Sequence, residues 1–396
     1  MKIQQPLYPK KFYKRSTTYE ETSQTHRSFR FSNLPRSVLL LFHDSKRSSR
    51  LLAETVMTQS ANLWNSYKNA TIHLDYCKSK DDYQDYLYNP GRNIRVVSVS
   101  HPDRYTISAN KNDVQKLYGS DYYQSQAQQC ALYHAEQTYD FLQNNGYNLG
   151  IQLYVAVNPY TTYTIDGSDG QRESAWGETD TVYFGMGSNN PNKENAVTFL
   201  GSASDVVTHE IMHLVTDKEL GWSSYGNNTP ERNALMEAYS DILAELADSQ
   251  NDWKIGSTLF LHNSSTKNYC LRNIANPAAT NNPVSPDENY CTTYQQFTAY
   301  VNANPYANNR AAVGSTVISH AAYLMHDMGF SNQTLAKIWL TSLSKYNKST
   351  AANATFSDCK DAFFDAAVEV LGQTGNRYYM AQVFSLMEAF DEVGVY

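Results

Sequence analysis

His209 and His213 stand four residues apart, with Glu210 directly after the first, inside the stretch Asp205-Val-Val-Thr-His-Glu-Ile-Met-His-Leu-Val-Thr216. On a helix, residues four apart share one face, one turn above the other. Both imidazoles can then reach one metal ion. Glu210 is placed to lean over a water beside that ion and take its proton. This H-E-x-x-H spacing is the chemistry of metal-activated hydrolysis. The plainer alternative is an ordinary buried helix, since Val206, Val207, Ile211, Met212, Leu214 and Val215 would pack well.

A catalytic zinc site wants a third protein ligand and one open position. Ala234-Leu-Met-Glu-Ala-Tyr-Ser-Asp241 offers it on a second helix. Glu237 and Asp241 are again four apart, so they too share a face. Glu237 can bind the ion, while Asp241 can accept the N–H of a ligand histidine and so fix its ring. Ala234, Leu235 and Ile242 around them argue for burial rather than a solvated face.

These two stretches make the chain resemble the thermolysin family of zinc metalloendopeptidases, over roughly residues 120 to 396. Asn251-Asp-Trp-Lys-Ile-Gly256, Leu271-Arg272 followed by Asn276-Pro277, and Ala321-Ala-Tyr-Leu324 resemble further family landmarks in the same order. Ser174-Ala-Trp176 with Val182-Tyr183 is similar to the edge strand that holds a peptide substrate. The resemblance implies His209, His213 and Glu237 as ligands of one zinc ion, Glu210 as general base and Asp241 behind the ligands. It implies Tyr225 as a hydrogen-bond donor to the transition state and Arg272 as a contact to the substrate carbonyl. It also implies an apolar pocket for the residue after the scissile bond, lined by Leu200, Val206, Ile255, Leu271 and Leu259, with Leu, Ile or Phe preferred there. As ordinary residues, the same five would simply be core.

The departures matter as much. The family carries an Asp and then a His just before the helix ending in Ala-Ala-Tyr-Leu, and that His donates to the developing oxyanion. Here Ala307 and Ala312 stand at those positions, in a stretch without His. Losing one such donor typically costs about 10²–10³ in rate. Arg310 is one substitute; His320 lies two turns into the helix and needs a shifted alignment. On the edge strand, Glu173 replaces the family's Asn, which alters a side-chain contact and spares backbone pairing. The resemblance also implies a calcium pair held by five acids. Asp205, Asp248 and Asp252 stand at three of those positions, with Lys254 and Ser257 at the other two. Calcium needs six to eight oxygens, so two ions are not expected. One ion, or three aspartates that merely cap and solvate, remain open.

The elements that must position these groups are legible in part. Residues 121–145 predict a helix on the apolar spacing of Ala127, Cys130, Ala131, Ala135, Tyr139, Phe141 and Leu142, stopped by Gly146. Strands are expected at Asn93–Ser100, Ile151–Val157, the Ser174–Trp176 edge and Thr181–Gly185. Helices are expected near 232–249, 314–328, 332–345, 356–371 and 376–393. Residues 51–119 carry little other pattern. The expected fold class is α+β and two-lobed, with a β-rich N-terminal lobe, a mainly helical C-terminal lobe and the zinc helix between them. The expected divisions are 1–50, 51–217 and 218–396.

The chain has 396 residues, 41% hydrophobic, with a formal net charge of −7, a composition that fits a soluble globular protein. Its 31 tyrosines suit an extended groove or reflect a bias of the source. Residues 1–50 hold eleven Lys and Arg against three acids, a formal +8, leaving −15 for the remainder. A basic arm on an acidic body can dock onto it or stay a solvated tail, and the family resemblance implies an inhibitory prosegment as one form of docking. Val38–Phe42 is too short and too far in for a secretory signal, and no apolar run is long enough to cross a membrane. The expectations are export without an evident signal, as bacterial effectors use, or a cytoplasmic location. No phosphate loop or nucleic-acid module is present, so nucleic acid is not an expected partner.

Cys77, Cys130, Cys270, Cys291 and Cys359 lack metal-like spacing. Cys130 and Cys359 read as buried thiols. Cys270 and Cys291 flank a Pro- and Asn-rich loop and fit either a disulfide or two reduced thiols. The functional expectation is a monomeric, zinc-dependent endopeptidase acting on protein or peptide, with Glu210 as base and a narrow substrate range as one form of it. The rival is a weakened or inactive relative that keeps zinc and serves as a binding or effector protein.

Overall fold

A computed structural model describes residues 55–59, 70–78, 85–89, 91–98, 122–157, 173–185, 187–188, 192–223 and 229–396. The basic arm of residues 1–50 and Tyr225 lie outside the described residues.

The N-terminal lobe is a mixed sheet of seven strands among the described residues. They are β1 (Thr55–Gln59), β2 (Ala70–Lys78), β3 (Asp85–Asn89), β4 (Ile94–Ser98), β5 (Leu153–Val157), β6 (Ala175–Glu178) and β7 (Thr181–Phe184). Their order is β1-β2-β3-β4-β5-β7-β6. The first four run as antiparallel neighbours, and the step from β4 to β5 is parallel, with Val96 opposite Val155. A parallel step needs a crossover, and helix α1 (Tyr122–Asn144) supplies it, lying against β4 and β5. Its Cys130, Ala131, Ala135 and Leu142 are buried as their spacing predicts, with Tyr139 and Phe141 half-buried beside them. β7 follows β5 in parallel, and β6 folds back antiparallel to β7, pairing Trp176 with Tyr183. β6 therefore closes the sheet as an edge strand, as expected.

Helix α2 (Ser204–Leu220) carries the H-E-x-x-H residues under that edge. Gly221 ends it in the left-handed region at φ 67°, with its N–H on the Asp217 carbonyl, a conformation that favours glycine. Helix α3 (Pro230–Ala247) packs on α2. Thr229 caps it by accepting from the Arg232 N–H, and Pro230 opens the first turn, where its missing N–H costs nothing. A two-stranded ribbon, β8 (Lys254–Ile255) with β9 (Arg272–Asn273), sits against α3 and delivers Arg272 to it.

The C-terminal lobe is helical: α4 (Tyr294–Ala303), α5 (Arg310–Asp327), α6 (Asn332–Ser342), α7 (Phe356–Gly372) and α8 (Tyr379–Glu392). Helix α5 runs through its centre against α3, with Val313, Val317, Ile318, Ala321, Ala322 and Met325 wholly buried. The apolar stripe of α7 (Phe356, Cys359, Phe363, Ala366, Ala367 and Leu371) is buried too, packing with Trp339 and Phe390. Two features escape the periodicity reading. Helix α4 is absent from it, although Thr293 and Gln296 form a reciprocal capping box at its start. Helix α5 begins four residues earlier than expected, because Asn309-Arg310-Ala311-Ala312 has no apolar stripe of its own.

Among the described residues, Cys130, Cys270, Cys291 and Cys359 are free, buried thiols. The Cys270–Cys291 disulfide, one of two expectations, is not formed. No described helix is long and apolar enough to cross a membrane.

Candidate metal centre

The helix register of α2 places His209 and His213 with their Nε2 atoms 3.0 Å apart and their rings almost perpendicular, at 89°. Glu237 on α3 brings Oε2 to 3.4 Å from His209 Nε2 and Oε1 to 3.6 Å from His213 Nε2. Among the described residues this is the one group of three whose ligand atoms lie within 4.8 Å of one another. An ion held tetrahedrally at ~2.0–2.1 Å would have ligand-to-ligand edges of about 3.3 Å, close to these separations.

The far side of each ring is occupied as well. His209 Nδ1 lies 2.8 Å from Asp241 Oδ1, and His213 Nδ1 lies 3.2 Å from the Ser240 hydroxyl. With the Nδ1 protons engaged there, both Nε2 atoms face one point, and Glu237 adds a carboxylate. Lone pairs do not converge at 3 Å in a protein interior without a cation or a proton between them. The donor set of two imidazoles and one carboxylate is the one expected for catalytic zinc. The residues therefore fit the group.

Asp241 is wholly buried and binds Arg272 through two parallel bonds, Nε to Oδ2 and Nη2 to Oδ1, both 2.7 Å. Ser315 of α5 adds a longer contact of 3.4 Å to Oδ2. Arg272 Nη2 also lies 4.0 Å from Glu237 Oε2. The guanidinium, 9% exposed, is thus committed to the carboxylates behind the ligands. Burial would raise Asp241; the charge of Arg272 outweighs it and keeps the carboxyl ionised below its usual range. Burial likewise opposes the charge on Glu237, but the two histidines and Arg272 hold it well below the ordinary value. Burial lowers His209, yet the hydrogen bonds it donates to Asp241 and Glu237 win and carry it to about 10, whereas burial takes His213 down to about 4. Without a metal the pair therefore holds one proton, on His209, which an entering ion must displace. Glu210, 7% exposed, is pushed up to about 7, chiefly by burial and further by Glu237 against the opposing charges of His209 and Arg272. That is a carboxylate matched to moving protons near neutral pH.

The remaining expected site residues are placed unevenly. Ser174 and Trp176 sit at the edge strand, with Gly185 donating to the Ser174 carbonyl and Trp176 stacked on Tyr183 at 4.7 Å. A Cβ on Gly177 would lie 2.5 Å from the Glu210 carbonyl oxygen, so this strand rides directly on α2. The Glu173 carboxylate is bonded by the Ser188 hydroxyl. Leu200, Val206, Ile255 and Leu259 are buried core, and only Leu271 keeps partial exposure. Ala312 is half-exposed, one turn before Ser315, whose hydroxyl donates to its carbonyl. Arg310 donates to the Ala307 carbonyl, and His320 is tied to the Ile274 carbonyl and stacks on Tyr323.

The acids around the start of α2 already have protein donors. Asp205 accepts from the N–H groups of Val206 and Gly256, at 2.8 and 2.5 Å. Ser204 donates to Asp248, and Lys254 N–H and the Ser257 hydroxyl donate to Asp252. The Lys254 ammonium turns to Asn268 instead. The sequence reading missed Glu245, which is wholly buried among these aspartates, and Ser240 and Ser315. Ser240 had a signal: three residues after Glu237, it falls on the same face of α3.

A family model described as thermolysin metallopeptidase, alpha-helical domain, matches residues 228–395. Thermolysin of Alicyclobacillus acidocaldarius subsp. acidocaldarius is 28% identical over 279 residues, covering 67% of this chain and 45% of that protein. In sequence the chain is thus similar to the thermolysin-like metallopeptidases, as a divergent relative. Bacillolysin of Brevibacillus brevis is 29% identical over 273 residues, covering 66% of this chain and 45% of its own. The aligned segment thus spans a little under half the length of these relatives. In fold, the chain is similar to the precursor of protealysin, a metalloproteinase from Serratia proteamaculans, with a TM-score of 0.54 at 19% identity over 82% of this chain and 91% of that one.

Proposed function

We propose that this protein is a zinc-dependent endopeptidase in which Glu210 is the general base. One observation carries the reading: two imidazole nitrogens and a carboxylate converge within 3.0 to 3.6 Å, with the buried Glu210 directly after the first histidine. A zinc ion bound there supplies Lewis acidity to a carbonyl and to a water. Glu210 takes the proton from that water and returns it to the leaving amine. Asp241 and Arg272 hold His209 in place from behind. The edge of β6, directly over the Glu210 carbonyl, offers backbone groups that pair with an extended peptide and align it across the site. The resemblance assigns the donor to the developing oxyanion to Tyr225, which lies outside the described residues. Asp205, Asp248 and Asp252 serve as acceptors for the backbone and hydroxyl donors around them.

A second reading has support from Ala312, which leaves the position of an oxyanion donor without one. In it, the protein keeps zinc, cleaves slowly or not at all, and serves as a binding or effector protein. Glu210→Gln separates the readings from a failed site: it should retain one zinc per chain and lose cleavage of a peptide library. A parent-like rate in that variant would remove Glu210 from the mechanism. Zinc retained in a parent protein that cleaves nothing would favour the second reading.

A further inference from the structure

The two ligand histidines are held by unlike partners. His209 leans on a buried carboxylate that is itself paired with Arg272. His213 has only the hydroxyl of Ser240, at 3.2 Å from its Nδ1. Ser240 is wholly buried, so no water competes for that contact. Its single hydroxyl proton has another destination, the carbonyl of Met236 four residues earlier on α3, at 3.0 Å. A hydroxyl has one proton to give and two lone pairs to offer. With the proton spent on Met236, the oxygen faces His213 as an acceptor, and Nδ1 must carry the hydrogen. The opposite assignment would put a hydrogen on His213 Nε2, aimed at His209 Nε2 only 3.0 Å away, and no ion could then use that nitrogen.

We propose that Ser240, with the Met236 carbonyl behind it, is the positioning residue that fixes the tautomer of His213 and thereby sets how tightly the site holds its metal. This rests on the reading that the site binds zinc. The carboxylate behind His209 adds a charge, whereas the hydroxyl behind His213 adds only direction. Loss of Ser240 therefore acts on ring orientation and tautomer alone, and outer partners of this kind are typically worth about 10–100-fold in metal affinity.

The test is zinc affinity of the full-length protein, measured against a chromophoric chelator, alongside the melting temperature of the metal-free form. Ser240→Ala and Ser240→Cys should each weaken zinc binding by about 10–100-fold, because cysteine fills the space but is a poor acceptor. Ser240→Thr, which keeps the hydroxyl, should stay within about threefold of the parent, and the metal-free melting temperatures should be alike. The proposal is overturned if Ser240→Ala binds zinc as the parent does. It is equally overturned if Ser240→Cys keeps parent affinity, since filled space would then be what matters. A parent protein that binds no zinc would instead defeat the functional reading on which this one rests.

Discussion

Asp241 is the residue on which the metal centre and the fold depend together. It is wholly buried, receives two 2.7 Å bonds from Arg272, and stands 2.8 Å from His209 Nδ1. Asp241→Asn keeps the shape and removes the charge. One amide oxygen cannot serve both the guanidinium fork and the imidazole, and the amide N–H₂ would face a donor. Arg272, 9% exposed, is left with Glu237 Oε2 at 4.0 Å as its nearest remaining carboxylate. Breaking a buried ion pair by removing one partner costs roughly 3–5 kcal/mol, because a charge stays buried without its counterion. At about 2–4 °C per kcal/mol for a large domain, the melting temperature should fall by on the order of 10 °C. Arg272→Met should also destabilise, by leaving Asp241 with only His209 and Ser315 as partners. The double variant buries neither charge, so its loss should be smaller than the sum of the two by at least about 2 kcal/mol. The assay is thermal and denaturant unfolding of metal-free protein, so that lost zinc does not enter the comparison. Losses that add within about 0.5 kcal/mol would refute the coupling. So would an Asp241→Asn protein that melts with the parent.

Gly177→Ala should cut cleavage sharply, mainly through KM, with a modest drop in melting temperature, because the added Cβ meets the Glu210 carbonyl oxygen at 2.5 Å and must lift the edge strand off α2; parent kinetics would show that the strand does not align the substrate. Ala312→His should raise kcat/KM by about tenfold or more if a donor there reaches the developing oxyanion, and an unchanged rate on peptides would place Ala312 outside the reacting groups. Burial, with mutual repulsion, raises Asp205 to about 7 and Glu245 well above its ordinary value. A carboxyl raised in the fold still ionises near pH 4 in the unfolded chain, so it costs stability progressively from about pH 4 upward, and the Asp205 share is fully present above about pH 7. Glu245→Gln should therefore melt higher than the parent at pH 7.5, and the gain should shrink toward pH 5. A lower melting temperature at pH 7.5 would mean that an ionised Glu245 stabilises the fold.

Local spacing alone revealed most of the metal centre. His209, Glu210 and His213 share a helix, and so do Glu237 and Asp241, so each set faces one way by the 3.6-residue repeat. The same logic found α1, α2, α3 and the helical C-terminal lobe, whose apolar stripes must be buried. Helix α4 escaped because its ten residues bury Phe297 alone, and its signal lay in the cap. The edge strand was legible by resemblance and not by alternation, since all four residues of β6 are half-buried.

The sequence by itself determined which side chains could ligate, which could accept a proton and where a helix had to run, because those properties depend on residue type and near neighbours. Only the tertiary structure decided what those side chains are tied to. Arg272 comes from a ribbon 31 positions after Asp241 and spends its fork on that carboxylate. Asp205 and Gly256 meet across 51 positions. The Ser240 hydroxyl acquires its direction toward His213 only when α3 packs on α2. Such pairings depend on through-space distance between distant segments, which no periodicity along the chain encodes.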